Sequence, residues 1–298
     1  MKIFVEVVLP VLLIFIAGFG FQKWKKLDIR AISTFALYIL IPGLVFLTFY
    51  KTQLNIQYMN IVIFSFILMF LLIFITKGYT LIRKTPRSVE SGLILSTAFM
   101  NSGNYGAPII LFAYGTAGFH YSVSLLVLHA IMMNFFGVYY AARGKAGIKT
   151  AVKSVLAMPT TYAVVIAIGF QLLHVPIAQN ILSAIDLVAD ATIPVVMLIL
   201  GMQLAVIQLK DFQWEKVTVG VVIRLFLSPL IAYLIVQFMT MDPLLEKVLV
   251  ITSAMPSAVN TVMYALQFDT EPELVSSITL ITTLLSILTI SPLLYLLG

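Results

Sequence analysis

One pattern dominates the chain: ten apolar stretches divided by short polar breaks. They run over 3–22, 29–50, 57–76, 89–113, 118–141, 155–174, 180–207, 217–238, 244–266 and 274–296. Most hold the roughly 20 residues that cross the hydrocarbon core of a bilayer as a helix. A helix is imposed on them, because lipid offers nothing to hydrogen-bond an open backbone. Composition closes off the alternatives. The chain is 61% hydrophobic and 10% charged, whereas a soluble domain is about 25% charged. So much apolar surface cannot be hidden in a water-soluble globule, and disorder, collagen and coiled coil are excluded as well. Without cysteine there is no disulfide, iron–sulfur or thiolate–zinc chemistry. The expected fold is an all-α polytopic membrane protein of ten transmembrane helices. The first stretch is expected to remain as a helix rather than act as a signal peptide. It carries Lys2 followed by Glu6, has no small-x-small cleavage site, and ends on Lys23, Lys25 and Lys26.

The net charge of +6 suggests nucleic acid only until it is mapped. Fifteen of the 18 basic residues fall in the loops after the first, third, fifth and seventh stretches, or just inside the eighth: Lys23, Lys25, Lys26, Arg30, Lys77, Arg83, Lys84, Arg87, Arg143, Lys145, Lys149, Lys153, Lys210, Lys216 and Arg224. The other side holds Lys2, Lys51 and Lys247. The positive-inside rule then places both termini outside and 142–154 as a cytoplasmic linker, in a plasma (cell inner) membrane. Lipid is the expected surrounding, and no nucleic-acid partner is implied.

The halves resemble each other. Ile41-Pro42-Gly43 in the second stretch matches Ile193-Pro194-Val195 in the seventh at an offset of 152. Ser96 to Asn104 in the fourth matches Thr252 to Asn260 in the ninth at an offset of 156. Pro10 before Gly18-Phe19 matches Pro159 before Gly169-Phe170. Five stretches per half put the halves in opposite orientations. The expected organisation is a first five-helix repeat at 1–141, the linker 142–154 and a second five-helix repeat at 155–298, related as an inverted repeat of the kind secondary transporters use.

Polar breaks stand mid-stretch at matching places. The fourth stretch carries Asn101-Ser102-Gly103-Asn104-Tyr105-Gly106-Ala107-Pro108, and the ninth Met255-Pro256-Ser257-Ala258-Val259-Asn260-Thr261. Gly103, Gly106, Pro108 and Pro256 disfavour a continuous helix. A helix that restarts exposes unpaired N–H groups with roughly +0.5 e of partial charge, which favours an anion. Asn offers donors and acceptors without bringing a charge into lipid. The candidate substrate contacts are Asn101, Ser102, Asn104, Tyr105, Ser257, Asn260 and Thr261.

Asp186 and Asp190 share a helix face at i, i+4. They are read either as outer-headgroup residues or, for Asp190, as a coupling-ion or gating residue. Arg224, about two turns into its stretch, either snorkels to the cytoplasmic interface or faces the core and attracts a carboxylate. His120 and His174 fall near outer ends, and mid-stretch His129 is read as a helix–helix hydrogen bond ahead of a proton relay. No metal site and no cofactor is implied; the coupling ion is left open between H⁺, Na⁺ and none.

The run Asn101-x-Gly103-Asn104-x-Gly106-x-Pro108, the Met255-Pro256-x-x-x-Asn260 of the ninth stretch, and Ile193-Pro194 with Leu200-Gly201-Met202-Gln203-Leu204 resemble the auxin efflux carrier family over essentially the whole chain. The resemblance is to its short prokaryotic members, the malonate or malate permeases. It implies a scaffold of helices 1, 2, 6 and 7, often dimeric, and a moving transport domain of helices 3–5 and 8–10. Helices 4 and 9 would cross at Pro108 and Pro256, with Asn101, Asn104, Ser257 and Asn260 as ligand contacts. The expected activity is not enzymatic but elevator-like transport of a small organic anion, a mono- or dicarboxylate such as malate or malonate. The alternative is a sodium- or proton-coupled carrier of bile-acid-symporter or sodium/proton-antiporter type. Motifs of intramembrane enzymes and nucleotide-driven pumps are missing. A channel is disfavoured because ion filters are built from rings of several subunits, whereas the matched pair here is internal to one chain.

Overall fold

The computed structural model describes residues 3–52, 55–142, 152–153, 155–207 and 213–298. Most of the linker 142–154, with Lys2, Arg143, Lys145, Lys149 and Lys210, lies outside them. The described residues form α1 (Phe4–Lys25), α2 (Ile29–Lys51), α3 (Ile56–Ile82), α4 (Arg87–Ala98), α5 (Ser102–Ala141), α6 (Pro159–Leu172), α7 (Gln179–Val206), α8 (Trp214–Val236), α9 (Pro243–Ser253), α10 (Asn260–Gln267) and α11 (Pro272–Leu297). Seven of these, α1, α2, α3, α5, α7, α8 and α11, are long and apolar enough to cross a membrane. The protein is a polytopic helical membrane protein. Helix α5 has 40 residues, about 60 Å at 1.5 Å per residue, twice a hydrocarbon core. It bends sharply at Gly115, whose φ of 64° and ψ of −161° suit glycine alone. The boundary expected between 113 and 118 is therefore one residue's turn rather than a loop, because hydropathy continues unbroken through it.

Prolines shape the helices locally. Pro159, Pro243 and Pro272 open α6, α9 and α11, where the missing N–H would have had no partner. Pro10, Pro42, Pro108 and Pro229 each follow a five-residue wide turn, at Phe4–Val8, Ala36–Leu40, Ser102–Gly106 and Ile223–Leu227. In each case the turn ends two residues before the proline. Widening the helix by one residue relieves the clash of the ring with the preceding turn while keeping the remaining backbone groups paired, as lipid demands. Asp28, Asn55 and Asp242 cap α2, α3 and α9 by accepting from Arg30 N, Gln57 N, and Leu244 N and Leu245 N.

Two sets of contacts position the interior. Helices α1 and α7 cross backbone to backbone at Gly18 and Gly201, where an added Cβ would meet Leu198 O at 2.2 Å and Phe15 O at 2.0 Å. Helix α2 joins α7 through Thr192 Oγ1, which donates to Leu40 O at 3.0 Å, and through Lys51 and Asp186, paired at 3.0 Å near the helix ends. Gln171 Nε2 on α6 donates to Thr52 O at 2.6 Å, just past the end of α2. The second set gathers around α4 and α9. Helix α3 meets α4 through a Thr76–Thr97 hydroxyl pair at 2.9 Å, and α8 and α11 flank it. The outward faces stay apolar, with Phe74 75% and Leu187 75% exposed, as a lipid-facing surface requires.

Candidate functional site

Helix α4 ends at Ala98, because Phe99 and Asn101 leave helical conformation, and the chain resumes as a wide turn at Ser102. The break is therefore at 99–101. Gly103 and Gly106 lie in the turn that follows, and Pro108 lies in the first regular turn after it. Helix α9 ends at Ser253 and α10 begins at Asn260, with Pro256 between them. The two breaks pair as a single antiparallel bridge between Met100 and Ser257. Asn101 N donates to Pro256 O at 2.8 Å, and Ala258 N donates to Phe99 O at 3.0 Å. Pro256 thus stands at the crossing, which falls at Met100 rather than at Pro108.

Three carbonyls at the two helix ends are met by buried side chains, as burial requires. Ser96 O accepts from Ser257 Oγ, and Thr97 O accepts from Arg224 Nη1 at 2.6 Å. Ser253 O accepts from Ser228 Oγ at 2.8 Å and also from Arg224 Nη2, which further donates to Ser228 Oγ. Arg224 is 0% exposed. It neither snorkels to an interface nor lines the cavity described next. Its target is carbonyl oxygen at the ends of α4 and α9, which no reading of a single stretch reveals.

On the opposite side of the crossing lies a cavity of about 110 Å³. It is floored by Ala98 to Asn104 and Ala258 to Asn260, and walled by residues of α2, α3, α5, α6 and α7. Asn101, Ser102, Asn104 and Asn260 of the sequence candidates line it together. The structure does not bring the others there. Tyr105 is fully buried, with its hydroxyl bonded to Ser286 at 3.0 Å and its ring 5.2 Å from Phe15. Ser257 is committed to Ser96 O, and Thr261 Oγ1 to Ala258 O at 2.7 Å. Asp190 is exposed on α7 away from the cavity, and Asp186 holds Lys51.

Four polar side chains lining the cavity carry a buried atom with no partner among the described residues: Ser33 Oγ, Asn101 Nδ2, His129 Nδ1 and Gln203 Oε1. His129 Nε2 is held by Ser65 Oγ at 3.3 Å, so the helix–helix bond exists and the other ring nitrogen is left over. Gln203 went unnoticed as a site residue. Its only signal is that it is polar on an apolar stretch, inside the Leu200-Gly201-Met202-Gln203-Leu204 motif. Among the described residues, no Asp, Glu, Lys or Arg lines the cavity. No cluster of residues suited to a metal occurs among the described residues. The arrangement offers amide and imidazole groups, and two helix starts, to a small polar guest.

Segments 3–151 and 145–294 match the family described as Membrane transport protein, and together they take in nearly the whole chain, which belongs to that family. The chain is 26% identical to an uncharacterized transporter of Methanocaldococcus jannaschii, over 96% of each chain. It is likewise 26% identical to an uncharacterized transporter of Methanothermobacter thermautotrophicus, over 96% of this chain and 95% of that one.

Proposed function

We propose that this membrane transport protein is a secondary carrier of a small organic anion, a mono- or dicarboxylate such as malate or malonate, working by elevator-like alternating access. One observation carries the reading. A cavity lined, among the described residues, by no Asp, Glu, Lys or Arg is floored by the restarting ends of two broken helices and bears Asn101 Nδ2, unpartnered among those residues. Helix starts bring about +0.5 e each, enough to favour an anion without the cost of a buried lysine. The cavity volume suits a molecule of several heavy atoms rather than a bare ion. Its contacts would be Asn101, Ser102, Asn104 and Asn260 from the crossing, with His129 and Gln203 from the walls.

The chain crosses the membrane ten times on this reading, as a 5+5 inverted repeat. Helix α4 with the part of α5 before Gly115 makes one broken crossing, the rest of α5 makes the next, α6 makes a short one, and α9 with α10 make the second broken crossing. The antiparallel pairing of Met100 with Ser257 supports opposite directions for the two broken segments. The scaffold would be α1, α2, α6 and α7, joined at Gly18, Gly201 and Thr192. The transport domain would be α3, α4, α5, α8, α9, α10 and α11. Both termini lie outside a plasma membrane, and the scaffold pairs as a homodimer, in line with the charge bias of the loops and the family likeness.

Proteoliposomes with a panel of labelled mono- and dicarboxylates test this by uptake and counterflow, with and without sodium and a proton gradient. Accelerated exchange of at least one carboxylate is expected, lost in Asn104→Ala and Asn260→Ala proteins that still fold. No flux of any organic anion, with robust sodium-for-proton exchange, would replace the reading with an antiporter.

A further inference from the structure

Arg224 poses a problem that the cavity does not solve. It is a fully buried cation, and among the described residues no carboxylate pairs with it. A charge left so in lipid is costly and marks a function unless something offsets it. What offsets it is the backbone. The guanidinium reaches Thr97 O in the last turn of α4 and Ser253 O at the last residue of α9, with Ser228 Oγ between its arms; its Nε has no partner. Each helix end carries roughly −0.5 e, so the two together bring about −1 against the arginine's +1. The carbonyl side of the crossing is neutral as built.

Helix C-termini and unwound carbonyls at the midplane are where transporters of broken-helix design hold a coupling sodium ion. We propose that the Arg224 guanidinium is a resident, tethered cation in that place, so that the protein neither binds nor needs an alkali-metal ion at its crossing. Arginine suits the position because its planar fork reaches two carbonyls and one hydroxyl at once and stays charged when buried. A corollary follows for the variant without it. Arg224→Ala leaves about −1 of partial charge facing a gap shaped like guanidinium, so the variant acquires a site for a soluble cation that the native protein lacks.

The experiment is a melting measurement on purified protein in detergent, with chloride salts of choline, sodium and guanidinium at low millimolar concentration. The native protein is expected to melt at one temperature in all three. Arg224→Ala is expected to melt lower in choline and to recover by roughly 5 °C in guanidinium. Should Arg224→Ala not fold, Arg224→Lys and Arg224→Gln divide charge from hydrogen bonding: Lys is expected to be the more stable. Sodium stabilising the native protein, an Arg224→Ala protein blind to every cation, or Arg224→Gln outlasting Arg224→Lys would each overturn the proposal. A flux arm rests on the transport reading: carboxylate exchange by the native protein is expected to be unchanged when choline replaces sodium, and a collapse of exchange in choline would also overturn it. Because the melting arms need no cargo, failure to find a transported carboxylate would leave them readable.

Discussion

Substituting Gly201 by alanine tests the packing on which the α1–α7 pair depends. A Cβ at Gly201 would stand 2.0 Å from the carbonyl oxygen of Phe15, and one at Gly18 would stand 2.2 Å from that of Leu198. Real Cβ contacts essentially never fall under 3.0 Å, so the two backbones must part by about 1 Å. No rotamer change relieves the clash, because both obstacles are main chain. Parting the helices also loosens Val11, Leu200 and Met197, all within 1% of complete burial beside the crossing. Overpacking of a core costs about 1–3 kcal/mol, and a backbone obstacle puts this substitution near the top of that range. For a chain of this size, about 3 kcal/mol lowers Tm by roughly 6 °C. The control is Gly20→Ala: an alanine there meets nothing within 4 Å. Its better helix propensity, worth up to about 1 kcal/mol, should leave Tm level or slightly raised. The assay is thermal melting in detergent at a fixed scan rate, since membrane proteins commonly unfold irreversibly. If Gly201→Ala melted with Gly20→Ala, the backbone contact between α1 and α7 would not be a determinant of this fold.

Asn101→Ala is expected to abolish most carboxylate exchange while leaving Tm unchanged, because the amide nitrogen it removes has no protein partner to lose; a large fall in Tm would assign Asn101 to structure instead. Ser257→Ala should do the reverse and lower Tm, since its hydroxyl satisfies Ser96 O in a dry place and an orphaned carbonyl costs about 1–3 kcal/mol. Asp190→Asn should retain substrate-coupled exchange, because the side chain is exposed and away from the cavity; loss of coupling would restore it as a gating residue. Asp186→Asn removes a pair whose members are 48% and 40% exposed, so Tm should move little, in keeping with the ~0.5 kcal/mol of surface ion pairs.

The helices were legible because lipid leaves apolar runs one conformation, and the breaks were legible because Asn, Gly and Pro in mid-run have few other uses. What stayed hidden is which face of each broken segment meets the cavity. Asn104 lines it and the adjacent Tyr105 does not: successive side chains on a helical turn point about 100° apart, and the sequence does not say which of them faces inward. Sequence matching between halves also ran ahead of geometry. Gly18 and Gly169 occupy matched motifs, but Gly18 touches backbone while a side chain at Gly169 would meet open space. For Arg224 the sequence offers water or substrate as partners. Its actual partners, Thr97 O and Ser253 O, are main-chain atoms 127 and 29 residues away in sequence, and no side-chain pattern announces a carbonyl.

The crossing sorts its partial charges by side, and this explains why Pro256 and Arg224 are tolerable there. Two interrupted helices produce two carbonyl ends and two amide starts within a few residues of one another, in a place without water to satisfy any of them. The short antiparallel bridge takes up part of each set: Asn101 N goes to Pro256 O, and Ala258 N to Phe99 O. Pro256 belongs in the ninth stretch because its carbonyl is needed there and an N–H is not. Of the remaining carbonyls, Thr97 O and Ser253 O are met from α8 by Arg224 and Ser228 and Ser96 O is met by Ser257, whereas the helix starts at Ser102 and Asn260 line the cavity shared with α2, α6 and α7. The protein thereby fills the negative side with its own cation, and on the proposed reading the positive side is left for a guest. On the proposed reading, an anion entering the cavity would complete on the second side the balance that Arg224 completes on the first, and among the described residues it would meet no acidic or basic side chain there.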